Sequence, residues 1–115
     1  MIPAAGLTVR DVGANGRHTL VLSGELDIAS APMLEAAVAE VPDNGTSALV
    51  LDLSEVTFMD SSGLKAVLAT YKRCQEQERE FSLAGASDSV RRVLDMTGVS
   101  DAIGLGRVGR SSTPS

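Results

Sequence analysis

Apolar residues along this chain follow two rhythms, one alternating and one close to a helical repeat, and the changes between them mark the elements. Leu7, Val9 and Val12 sit in a short, mostly alternating run that predicts a first strand. Gly13-Ala14-Asn15-Gly16 carries an Asn-Gly turn signal, and Thr19-Leu20-Val21-Leu22-Ser23 predicts a second strand, so an antiparallel hairpin is expected. Ser30 is a plausible N-cap with Pro32 in the first helical turn. Leu34, Ala37, Val38 and Val41 then repeat at the spacing of one buried helix face. Pro42-Asp43-Asn44-Gly45 ends that helix.

Ala48-Leu49-Val50-Leu51-Asp52-Leu53 is nearly continuous in apolar character, as expected of a central parallel strand covered on both faces. After a loop, Leu64, Val67, Leu68 and Tyr71 resume helical spacing, with Lys65, Lys72, Gln75 and Glu76 turned outward and the helix reaching about Glu78. Phe81-Ser82-Leu83-Ala84 predicts a short strand. Ser87 or Asp88 caps a third helix with a stripe of Val90, Val93, Leu94 and Thr97, stopped by Gly98. Ala102-Ile103-Gly104-Leu105 is a weak strand candidate, and residues 109–115 have the composition of a disordered tail. The order β-β-α-β-α-β-α-(β) predicts one α/β domain over residues 1–108. Its sheet should be mixed but mostly parallel, with four to five strands, three helices and right-handed crossovers.

A length of 115 residues suits one domain, and with aromatics at only 3% the core must be built from aliphatic side chains and Met. A formal net charge of -5 argues against nucleic acid and anionic membrane surfaces as partners. No apolar stretch approaches the ~20 residues needed to span a bilayer. The N-terminus lacks the charged and apolar regions of a signal peptide, so a cytoplasmic location is expected. The single cysteine, Cys74, reads as a small side chain on a helix flank, with no neighbours at metal-ligand spacing.

Enzyme chemistry finds little support. The lone His18 starts a strand far from any candidate nucleophile, and neither a nucleophile elbow nor a phosphate-cradling loop is present. Gly104-Leu105-Gly106-Arg107-Val108-Gly109 matches a dinucleotide-binding pattern by letters, but no helix pattern follows it. No catalytic residue, cofactor or metal is expected. The informative stretch is Phe58-Met59-Asp60-Ser61-Ser62-Gly63-Leu64, between a buried strand and an amphipathic helix. Asp60, Ser61 and Ser62 are all good cap residues, and capping alone would account for them. Two features suggest more. Gly63 stands where a good helix former would be better by up to ~1 kcal/mol, which leaves the first turn open to another molecule. The turn also follows the C-terminal end of a central strand, where open α/β sheets usually bind ligands.

With Gly24-Glu25-Leu26-Asp27 and Leu51-Asp52-Leu53, this stretch resembles the signature of the STAS-domain anti-sigma factor antagonist family. Asp95-Met96-Thr97-Gly98-Val99 is similar to the family's pattern at the end of the third helix, and the likeness covers about residues 6–100. The resemblance implies a STAS-like fold in which Ser61, the first serine after the aspartate, is phosphorylated by a serine kinase that is also the anti-sigma factor. A metal-dependent serine phosphatase would reverse the mark. It further implies that the unphosphorylated chain binds the kinase and frees a sigma factor. The implied partner surface contains Asp27, Asp60, Ser61, Ser62 and Gly63. The family usually continues past its last strand into another helix, whereas this chain ends soon after Leu105, so that helix is expected to be missing.

Phosphoserine brings about -1.5 to -2 charges at pH 7. At a helix N-terminus it is expected to meet free backbone N–H groups, with Asp60 offsetting part of that benefit, so its effect should fall on the interface rather than the fold. Two other readings stay open: a STAS scaffold or transporter-partner module without phosphorylation, and a small-molecule or nucleotide-binding domain.

Overall fold

The computed structural model describes residues 6–42 and 44–97. Strand β1 (Leu7–Ala14) turns into β2 (Arg17–Leu26), followed by α1 (Ala31–Ala39), β3 (Ala48–Met59), α2 (Ser61–Glu76), β4 (Glu80–Ala86) and α3 (Asp88–Met96). The hairpin turn is made by Asn15 and Gly16, both left-handed at φ 56° and 80°, as a two-residue Asn-Gly turn requires. The sheet order is β1-β2-β3-β4, with the hairpin antiparallel and β2, β3 and β4 mutually parallel. This is the expected single α/β domain, with a four-stranded mixed sheet and three helices.

The core is aliphatic. Leu20 and Leu22 of β2, Leu49, Leu51 and Leu53 of β3 and Leu83 of β4 form one cluster with Leu34 of α1, Val67 of α2 and Val90 and Leu94 of α3. Ala48 and Val50 alternate with those leucines and so point to the opposite face; they are buried yet stand outside the cluster. Among the described residues the helices therefore cover one face, not both. Val50 is sheltered by its central position, between Thr19 on β2 and Ser82 on β4.

Several elements are longer or rotated relative to the sequence reading. β3 does not end at Leu53: it runs on to Met59, because β2 also extends and pairs Gly24, Glu25 and Leu26 with Val56, Phe58 and Met59 past a register shift. The buried side of α2 is Gly63, Leu64, Ala66, Val67, Thr70 and Cys74, while Leu68 and Tyr71 are only half-buried. Cys74 is thus a core residue rather than a flank one, because small side chains let α2 approach the sheet closely. Thr97 is exposed, with its hydroxyl returned to the Val93 carbonyl at 2.9 Å. No described helix is long and apolar enough to cross a membrane. The expected Asp43 turn position, the Gly98 stop, the 102–105 strand, the 104–109 glycine pattern, the missing final helix and the 109–115 tail lie outside the described residues.

Candidate functional site

β3 ends at Met59, and the chain enters α2 within two residues, so the Asp60–Gly63 turn stands at the C-terminal rim of the parallel strands. Three residues competed on paper for the cap, and the backbone selects Asp60. It is extended at φ -113° and ψ -170°, and its Oδ1 accepts from the Ser62 N–H at 2.9 Å and the Gly63 N–H at 3.1 Å. Its own carbonyl accepts from the Leu64 N–H at 3.0 Å. The first-turn donors expected to be free for a phosphate at Ser61 are therefore engaged at Ser62, Gly63 and Leu64 by Asp60 itself.

Ser61 is the first residue of α2 and is exposed, and its hydroxyl makes no hydrogen bond to another described residue. Ser62 beside it is half-buried. Gly63 is buried, and its reason lies inside the domain. A Cβ there would press on the Leu26 carbonyl oxygen closer than real side chains tolerate and would sit 2.9 Å from Leu26 Cγ. The glycine lets α2 start hard against the end of β2, which corrects the expectation that it clears the first turn for an incoming molecule. The Asp60 N–H donates to the same Leu26 carbonyl at 3.3 Å.

The turn from β2 to α1 is built beside this contact. Asp27 Oδ1 accepts from the Ala29 N–H and the Ser30 N–H, each at 3.1 Å, and lies 3.1 Å from the Ser30 Oγ. Ser30 does not cap α1 with its side chain, as its position suggested. It is fully buried, and its Oγ donates to the Glu25 carbonyl at 2.7 Å and accepts from the Asp27 N–H at 2.9 Å. The segment that carries Asp27 and the turn that carries Asp60, Ser61, Ser62 and Gly63 thus meet at one backbone oxygen, that of Leu26, through the Asp60 N–H and Gly63. Two exposed apolar side chains flank this meeting point, Ile28 in the β2–α1 turn and Phe58 near the end of β3. Periodicity does not reveal them, because neither lies on a helical stripe.

The remaining chemistry-bearing residues lie elsewhere. His18 Nδ1 pairs with the Asp11 carboxylate at 2.9 Å across the hairpin, and its ring fills the space over Gly13, where a Cβ would come within 2.6 Å of it. Cys74 is buried, and burial pushes its thiol up despite the opposing pull of Arg79 and Arg73. Among the described residues no group of three His, Cys, Asp or Glu side chains could hold a metal ion. A groove of about 400 Å³ lies between α1 and α2, lined by Glu35, Val38, Thr70 and Arg73 among others.

Comparison with known proteins gives a consistent result. The family model for the STAS domain matches residues 10–112. A Staphylococcus aureus protein named Anti-sigma-B factor antagonist is 32% identical over 84 residues, covering 73% of this chain and 78% of that protein. The crystal structure of an anti-sigma factor antagonist from Mycobacterium paratuberculosis is similar at 34% identity, with a TM-score of 0.76 over 88% of this chain and 85% of that one. A sulfate transporter family protein from Wolinella succinogenes shares the fold at 22% identity and TM-score 0.72, over 84% of this chain and 78% of that one.

Proposed function

This chain belongs to the STAS domain family, and from that premise we propose that it is an anti-sigma factor antagonist switched by phosphorylation of Ser61. In this reading the unphosphorylated chain docks on an anti-sigma factor serine kinase through the surface that holds Asp27, Asp60, Ser61 and Ser62, with Gly63 buried beneath it, and a sigma factor is freed. Transfer of a phosphoryl group from the kinase's ATP to the Ser61 hydroxyl ends the association, and a serine phosphatase restores it. The chain is then the substrate of catalysis rather than its agent, acting in the cytoplasm where ATP and sigma factors are found.

The observation that carries the proposal is Ser61 itself, exposed on the first turn of a helix whose cap is another residue, its hydroxyl bonded to no other described residue. An acceptor serine must be reachable by another protein's active site, and one used as a cap would have to abandon its hydrogen bonds first. The size of the effect also suits a switch. Stripping water from a doubly charged group with no matching counter-charge costs several kcal/mol. Moving an equilibrium from nearly all bound to nearly all free takes roughly 5.5 kcal/mol.

The test is to incubate the chain with ATP and a purified anti-sigma factor serine kinase encoded in the same genome, then locate the phosphate by mass spectrometry. The mark is expected on Ser61. By calorimetry Ser61→Ala should bind the kinase and resist modification, and Ser61→Asp should bind far more weakly with an unchanged circular dichroism spectrum. Absence of the mark would leave an unphosphorylated STAS scaffold, and tight binding by Ser61→Asp would refute the interface mechanism.

A further inference from the structure

We infer that Ile28 is the apolar anchor of the partner interface and enters an apolar recess on the anti-sigma factor kinase whose border carries Lys or Arg side chains. The inference rests on the Ser61 reading and names the chemistry of the surface that meets it.

Ile28 is 76% exposed at the tip of the Asp27–Ser30 turn. The fold gains nothing from it there. The turn is closed without its side chain, by the Asp27 carboxylate on the Ala29 and Ser30 N–H groups and by the buried Ser30 hydroxyl on the Glu25 carbonyl. Those same bonds hold its backbone in one place. A β-branched side chain on a fixed turn loses little freedom when a partner closes over it, which is the condition for an efficient anchor. It also lies on the segment that meets the Ser61 turn. The Leu26 carbonyl meets both the Asp60 N–H and the buried Gly63, so residue 28 and residue 61 lie on the two chain segments that this contact joins. Phe58, 48% exposed and paired in register with Glu25, is a second exposed apolar side chain close to the end of β3.

Charge indicates what surrounds the recess. The segments that form this rim are 24–30, 54–63 and 86–89, the last tied to β3 by the Ser87 hydroxyl on the Val56 carbonyl at 2.9 Å. They contain Glu25, Asp27, Glu55, Asp60 and Asp88, and no Lys, Arg or His. Lys65 on α2 and Arg91 and Arg92 on α3 follow within about a turn, so the border that a partner meets in covering Ile28 is predominantly rather than wholly acidic, and anionic groups there would cost it affinity. A cationic border is the complementary surface.

The test uses the purified kinase of the preceding section, titrated by calorimetry with wild type, Ile28→Ala, Ile28→Lys and Val12→Ala. Val12 is also well exposed, at 53%, but lies toward the hairpin turn on β1, so it separates location from mere exposure. Ile28→Ala should weaken binding about tenfold or more and Ile28→Lys further, while Val12→Ala stays within about twofold. Wild-type binding should weaken several-fold as salt is raised, because the border charges are screened. The variants should melt as wild type does, since the residue is outside the core. If wild type binds and Ile28→Ala binds equally well, or if salt has no effect, this inference fails alone. If wild type does not bind the kinase, the Ser61 reading and this inference fall together.

Discussion

Replacing Gly63 with alanine sets two well-defined effects against each other, and the geometry decides the sign. On helix propensity alone the substitution should stabilise α2 by up to about 1 kcal/mol. The new methyl, however, would be driven into the Leu26 carbonyl and would lie 2.9 Å from Leu26 Cγ. The obstacle is backbone in a paired strand, with Leu26 in register with Met59, so it cannot swing aside as a flexible side-chain tip could. Overpacking of that kind costs about 1–3 kcal/mol, and the rigid obstacle favours the upper part of the range. Relief by separation of the two segments would lose the bond from the Asp60 N–H to the Leu26 carbonyl, about another 1 kcal/mol. The net expectation is a loss of about 2–3 kcal/mol. At about 4 °C per kcal/mol for a domain of this size, Tm should fall by about 10 °C. Urea unfolding with a calorimetric melt would measure both. A Gly63→Ala protein as stable as wild type, or more so, would show that α2 can shift away from β2 at no cost, and the close-approach argument would fail.

Two further perturbations probe the same region and the core beneath it. Asp60→Ala removes the acceptor for two first-turn N–H groups and should cost about 1–2 kcal/mol by denaturant unfolding, with Asp60→Asn recovering most of it; equal losses in both would refute the capping role. Cys74, with its thiol pushed up by burial, should resist alkylation in the native state and react only on unfolding. The folded state disfavours the thiolate, so this stabilising contribution is fully present below the unfolded value of about 8.5 and declines as pH rises through the higher folded value. A Cys74→Ala variant should lose that part of the alkaline fall in stability, and an unchanged alkaline profile would argue against the shift.

Element order and sheet direction were legible because they depend on local periodicity, which survives in the hairpin, in α1 and in the 48–53 run. The second half of β3 was not. From Leu53 onward its buried positions are Leu53, Val56 and Met59, a spacing of three produced by register shifts against β2, and a two-residue rhythm cannot find it. The face of α2 was read too narrowly: Leu64 and Val67 are buried and Leu68 and Tyr71 pack against the core, but Gly63, Thr70 and Cys74, buried for their small size, escaped a reading that followed the larger apolar residues. At the site, the Asp-Ser-Ser-Gly string was visible, but the division of labour within it was not. Which residue caps depends on the backbone angles of Asp60, and the need for Gly63 depends on the carbonyl of Leu26, far away in sequence. Ser30 shows the same dependence: it holds the N-cap position of α1 as read, but its side chain is buried as the internal tie of its turn rather than bonded to the helix.

The capping arrangement bears directly on how a phosphate at Ser61 could act. Had Ser61 or Ser62 been the cap, or had the first-turn N–H groups been open, a phosphate could fold back onto the helix N-terminus and be partly neutralised by the domain. Asp60 already occupies the N–H groups of Ser62 and Gly63 with a fixed negative charge, so the phosphate has poor local compensation and stays in solvent. Its charge is then presented at full strength to whatever docks there. A cationic border around Ile28 does not cancel this effect. In the proposed complex the Ser61 hydroxyl faces the kinase's nucleotide, whose phosphates are anionic, and the cations lie to the side where the acidic rim meets them. One surface can thus attract through its flank and repel through its centre once modified, which allows a single covalent mark to reverse binding while the fold beneath it stays the same.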